Sequence, residues 1–212
     1  MTANDTNADE QAATPPKPPR LSLAEADAIV VARGDGHALA QRARDMLRSG
    51  FASDLGDTVA YLDGGAALDR FEVEDVTLVG GDLRISGLLR DTVDNDQSLL
   101  IVLGSLEVDR AVIGGEVIVL GDLRVHDTIV LDSMGDYVLS VGGDLTARGL
   151  ASCDHHIEVR GRARVEFEYK RGMDASAVLN AACLKQGDPG FHDLNEIIAR
   201  VAAGEPIFAG ES

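Results

Sequence analysis

The sequence predicts an all-β solenoid, a parallel β-helix of about five to six coils over residues 57–171. Three observations predict it. Five copies of one strand motif read TLVGGDLRI, IVLGSLEV, VIVLGDLRV, LSVGGDLTA and IEVRGRARV, and they align on Gly81, Gly104, Gly121, Gly143 and Gly161. The gaps between these glycines are 23, 17, 22 and 18 residues, averaging 20, which is the regularity of a repeat architecture. Within each copy apolar residues recur two apart, as in Val79, Leu83, Ile85 or Val119, Leu123, Val125, so one face of each strand points inward.

An antiparallel sandwich also has short strands, but it does not keep one residue type at the same place in every repeat. A solenoid does, because each coil stacks on its neighbour at about 4.8 Å. The alignment makes testable columns. Leu83, Leu106, Leu123 and Leu145 form an inward one. Arg84, Glu107, Arg124, Thr146 and Arg164 form an outward one with alternating charge. Asp82, Ser105, Asp122, Asp144 and Arg162 follow the glycines. Asp122 and Asp144 would repel as neighbours unless their oxygens accept turn N–H groups or a cation, and turn N–H groups are the expectation for Asp beside Gly. The repeat glycines fall on the inward phase. A kink with the backbone close to the interior would explain the missing Cβ. A second apolar patch about seven residues after each glycine (Leu88-Leu89, Ala111-Val112-Ile113, Ile129-Val130-Leu131, Leu150-Ala151) gives each repeat a second short strand.

The remaining segments follow in order. Residues 1–20 are polar and end in PPKPPR, which reads as a disordered, Pro-rich acidic tail. Residues 21–56 read as a helical N-terminal cap. Ser22 and Glu25 have capping-box spacing, Gly34-Asp35-Gly36 breaks the helix, and a second helix runs from His37 to Arg48, with Gly50 just past its end. Val59–Tyr61 and Phe71–Val73, around Asp63-Gly64-Gly65, form a degenerate first coil. Residues 172–212 form a C-terminal extension with a helix over Asp193–Ala203. Open solenoid ends invite strand pairing, so the early helices are expected over one end and the last helix over the other.

Composition limits function. Apolar residues make up 45% but aromatics only 4%, so the core must be aliphatic. Asp plus Glu outnumber Lys plus Arg by 36 to 19, a net charge of −17 that repels phosphate backbones and anionic lipids. No nucleic acid and no membrane is expected as a partner. A protein partner is, and by charge a basic one. Cys153 and Cys183 form no CxxC and no disulfide framework, and the N-terminus resembles no signal peptide, so a cytoplasmic location is expected.

Candidate sites are few. Asp154-His155-His156, with His126 in a nearby repeat, could supply metal ligands. The spacing matches no zinc pattern, and a turn with Asp154 accepting backbone N–H groups and one histidine packed is the expected use. Val-Gly-Gly-Asp-Leu at 79–83 and 141–145 lacks the lysine and the following helix of a phosphate loop. Cys153 near His155 is not a nucleophile signature on its own. The pairs Glu72/Glu74 and Glu166/Glu168 read as solvated edge charges rather than a glycosidase dyad. No catalytic residue, no cofactor and no metal is expected.

The I/V-x-V-x-G-D-L-x-V copies resemble the polymer-forming cytoskeletal proteins called bactofilins. The segment GDYVLSVGGDLTARGLASCDHHIEV is similar to a group of bacterial bactofilin-like β-helix proteins, which share a Tyr-containing turn, a GDL-x-AR strand and a D-H-H turn. Here these are Tyr137, Gly143–Arg148 and Asp154-His155-His156. The resemblance covers about Thr77 to Phe167 and implies a right-handed β-helix that self-assembles end to end without nucleotide. Some look-alikes belong to toxin–immunity loci. The sequence thus leads first to a non-enzymatic, immunity-type protein that masks a partner. A bactofilin-like scaffold is the alternative, and a polysaccharide-acting enzyme is third.

Overall fold

A computed structural model describes residues 17–91, 98–133 and 135–210. The first described element is a three-residue strand, β1 (Arg20–Ser22). Three helices follow, α1 (Leu23–Arg33), α2 (Ala40–Arg48) and α3 (Gly50–Leu55). Six coils come next, each a pair of strands: β2 (Thr58–Leu62) with β3 (Ala66–Val73), β4 (Val76–Val79) with β5 (Leu83–Asp91), and β6 (Leu99–Val102) with β7 (Leu106–Ile113). The other three are β8 (Glu116–Val119) with β9 (Leu123–Leu131), β10 (Val138–Val141) with β11 (Leu145–Ser152), and β12 (His156–Val159) with β13 (Ala163–Lys170). A short α4 (Ala175–Val178) and α5 (Leu194–Ala203) end the chain.

Every coil-to-coil pairing is parallel. The even strands form one sheet, ordered β2-β4-β6-β8-β10-β12 with β1 antiparallel on its first edge. The odd strands form the other, ordered β3-β5-β7-β9-β11-β13. The protein is therefore a parallel β-solenoid of about six turns. The sequence columns hold residue for residue: Leu83 pairs with Leu106, Leu106 with Leu123, Leu123 with Leu145, and Arg84, Glu107, Arg124, Thr146 and Arg164 stack in that order. Arg84 and Glu107 form an ion pair at 2.8 Å. The degenerate first coil is real, with Ala66 on Leu83 and Phe71 on Leu89.

The aspartate column forms a ladder between coils. Asp82 accepts the backbone N–H of Ser105 at 2.7 Å, Ser105 Oγ that of Asp122 at 3.2 Å, Asp122 that of Asp144 at 2.8 Å, and Asp144 that of Arg162 at 2.8 Å. This confirms the expected turn chemistry and gives the repeat glycines a reason other than closeness to the interior. A Cβ on Gly104, Gly143 or Gly161 would collide with the carboxylate of the preceding coil.

The helices do not cover the ends. Ala26 and Val30 of α1, Ala43 and Leu47 of α2 and Ala52 of α3 pack with Val76, Leu78, Leu99, Ile101 and Ile118, on the outer face of the even-strand sheet. Arg42 of α2 clamps this contact through the buried Glu116 at 2.8 Å, whose other oxygen accepts the N–H of Val138. The C-terminal extension lies on the other sheet. Ile197 and Val201 of α5, with Ile207 and Phe208, pack against Leu88, Val112, Val130 and Ala151, and Arg110 donates to the carbonyls of Val201 and Ala202. The physical reason is that these strands are apolar on both faces. Burying the outer face removes more apolar area from water than covering one end would.

Two smaller expectations also change. Most of the proposed tail, residues 1–16, lies outside the described residues, but its last part is structured: the Pro19 carbonyl accepts the N–H of Tyr61 at 2.9 Å, and Arg20 begins β1. Gly50 lies just past the end of α2, as expected, but it also opens a third helix, α3, beyond the two expected. The capping box of Ser22 and Glu25 is present as read.

Candidate functional site: the open C-terminal coil

Along the solenoid the inner strands β4, β6 and β8 are buried at every residue. In the last coil that pattern stops. Ile157 and Val159 of β12, and Val165 and Phe167 of β13, are only half-buried. Among the described residues no strand pairs with the outer edge of β12 or of β13, so both sheets end here in an edge strand, with Met173 engaging the backbone of Lys170 at the end of β13. The first coil differs, because β1 covers the edge of β2 and Arg20 reaches Glu74 at 3.5 Å. On that side, among the described residues, only β3 is bare.

The last coil surrounds a cleft of about 510 Å³. Its floor is Leu145, Leu150, Ile157, Val159 and Val165. Its far side is polar, because the aliphatic columns change character there. Glu168 stacks on Leu150 and Lys170 on Ser152, so both take positions that are inward in the coils before. The two join at 2.9 Å. Inward charge of this kind blunts a sheet end. Glu168 is exposed on an edge strand, as a solvated edge charge should be, but it stands in the inward column and not on the same face as Glu166. The register shift between Ala147 and Gly149 reverses the phase of the strand.

The Asp154-His155-His156 turn closes one corner of this cleft. Asp154 takes a positive φ of 106°, and its carbonyl accepts the N–H of Gly135 at 2.7 Å while its carboxylate pairs with Arg171. Asp154 thus accepts a backbone N–H, as expected, but through its carbonyl, while its carboxylate forms an ion pair. His156 is exposed. His155 is packed, only 7% exposed, and neither ring nitrogen has a partner among the described residues. Burial, then the neighbouring His156, pushes its pKa down to about 4, so the imidazole is neutral at physiological pH. His126 stands elsewhere, on the outer face of β9, with Glu107 at 2.9 Å. The sequence candidates are not brought together, and among the described residues no group of three His, Cys, Asp or Glu is arranged to hold a metal ion.

Cys153 is buried, and desolvation followed by the charge of Asp132 pushes its thiol up to about 12, the opposite of an activated nucleophile. A second cleft of about 730 Å³ lies between Tyr169, Met173, Phe191 and His192, where Tyr169 Oη and His192 Nδ1 are 2.8 Å apart. Among the described residues no helix is long and apolar enough to cross a membrane.

Alternation did not reveal that the last coil is open. The signal was in columns. IEVRGRARV has arginine where earlier copies carry Asp or Ser, and alanine where they carry leucine. Comparison of the chain with family models, curated proteins and solved structures finds no match.

Proposed function

We propose that this chain is a non-enzymatic, protein-binding β-solenoid that masks a partner by taking one of its extended segments onto the C-terminal coil. The observation that carries the reading is the pair of unpaired edges, β12 and β13, flanking an open apolar cleft. An added strand would gain main-chain hydrogen bonds from the edges and side-chain burial from the cleft. Both flanks are occupied by the protein's own helices. An immunity-type role is one form of this reading. Hydrogen exchange on a complex isolated from the native cells tests it. The amides of residues 156–159 and 163–170 should slow on binding, and Val159→Asp should abolish the complex. Protection confined to α1, α2 or α5 would overturn it.

A second reading is a self-stacking scaffold of the bactofilin kind. It is favoured by the position of the helices, which leave both coil ends uncovered, and by unlike charge at the two ends. Residues 57–75 of the first coil carry six carboxylates and one arginine, while Arg160, Arg162 and Arg164 cluster in the last. The strand β1 counts against it, because it occupies the edge on which β12 of another copy would continue. Regular filaments of the purified chain in electron micrographs would promote it over the first reading.

A further inference from the structure

Three arginines, Arg160, Arg162 and Arg164, follow one another at the corner between β12 and β13, in the coil that surrounds the C-terminal cleft, at positions that alternate with the cleft-lining Val159, Ala163 and Val165. All three are exposed, and none has a carboxylate partner among the described residues. In a chain of net charge −17 this is a local reversal of sign. The aspartate ladder explains its position. In the second to fifth coils the residue after the glycine is an acceptor, Asp82, Ser105, Asp122 or Asp144, and it takes an N–H from the coil above. At the last rung the residue is Arg162, a donor. The ladder stops with a cation where the next strand would otherwise have met a carboxylate.

We infer that the segment docked on the C-terminal coil is an acidic, extended polypeptide, with alternate apolar side chains entering the cleft and carboxylates on Arg160, Arg162 and Arg164. The inference rests on the end-docking reading and deepens it. Net charge alone had suggested a basic partner, and the local geometry reverses that. Arginine suits the role because its planar fork binds carboxylates with two parallel bonds. The apolar half of the recognition is the half-buried floor of Ile157, Val159 and Val165. His155, whose ring nitrogens are buried and have no hydrogen-bond partner among the described residues, lines the same cleft.

The test uses the intact chain and short fluorescent peptides, read by anisotropy. One peptide alternates valine with aspartate, one alternates valine with lysine, and a third is the aspartate peptide with its valines replaced by proline. The aspartate peptide should bind more tightly than the lysine peptide by roughly tenfold or more, and R162E/R164E should remove that preference. Added salt should weaken it, and the proline peptide, which cannot pair with an edge, should fail. Arg162 and Arg164 are exposed, so the variant leaves the core intact. Equal or tighter binding of the lysine peptide, abolished by Val159→Asp, would refute the acidic partner while leaving end docking in place. Failure of every peptide would overturn both. Self-association that Val159→Asp removes would also refute the inference, by showing that a second copy occupies the end.

Discussion

Asp122 and Gly143 belong to neighbouring coils, and the carboxylate of the first fills the space where a side chain on the second would begin. The same carboxylate accepts the N–H of Asp144 at 2.8 Å. Gly143→Ala should therefore cost about 2 kcal/mol or more, because the ladder oxygen and the backbone of Gly121 must both move. Gly81 lies below the ladder, with only the Cα of Gly64 at 3.5 Å from the same point. Gly81→Ala should cost about 1 kcal/mol or less. Denaturant titrations of the two variants check the contrast. Adding Asp122→Ala to Gly143→Ala should recover part of the loss, and additive losses would refute the contact as its cause.

A second contrast concerns register. Leu123 is 1% exposed in the aliphatic column, and Arg124 beside it faces solvent. Leu123→Asp should cost more than about 3 kcal/mol and abolish the fold, whereas Arg124→Asp should cost about 1 or less. Similar melting temperatures for the two would refute the alternation.

The columns were legible because stacking forces like onto like. Leu83, Leu106, Leu123 and Leu145 could be aligned before any coordinate was known. The position of the helices was legible too, but in a signal that alternation hides. Leu99 to Leu103 and Val117 to Leu120 are unbroken apolar runs, the mark of strands covered on both faces. What could not be read was the phase change at the bulges. A one-residue shift moves every following side chain to the other face, so Glu168 turns inward without any change in its local pattern.

Acid should loosen the last coil first. The pKa of His155 falls from 6.5 to about 4 on folding, so between those values the unfolded chain binds a proton that the folded chain does not. The stabilising effect of keeping it neutral is therefore complete above pH 6.5, is lost as pH falls toward 4, and levels off below. The total is about 3 kcal/mol. His155→Leu should flatten the stability profile in that window relative to the parent chain. Parallel profiles would show that His155 titrates normally.

Removing residues 190–212 should not yield filaments. It strips Ile197, Val201, Ile207 and Phe208 from the flank of the odd-strand sheet and bares Leu88, Val112, Val130 and Ala151. Exposed apolar area on the side of a solenoid gives lateral, disordered association rather than end-to-end growth. Amorphous aggregates with dye-accessible apolar surface are expected by light scattering and microscopy. Ordered filaments from this truncation would mean that the extension guards an end after all.

The Glu168–Lys170 pair is what keeps the open cleft from being an adhesive surface. Glu168 stands in a column that is aliphatic in the coils before, above Leu150 and Ile129, and Lys170 stands above Ser152 and two coils beyond Leu131. Their ion pair is partly exposed, so its contribution to stability is small, and its effect lies in the charge it places over the interior. Glu168→Leu with Lys170→Leu continues the apolar columns to the end of the coil. This variant should fold at least as stably as the parent and associate with rising concentration in sedimentation velocity, through the edges of β12 and β13. Glu168→Gln with Lys170→Gln keeps the positions polar and should stay dispersed. If the leucine variant also stays dispersed, some other feature of the last coil holds copies apart, and the inward pair is not the device that blunts this end.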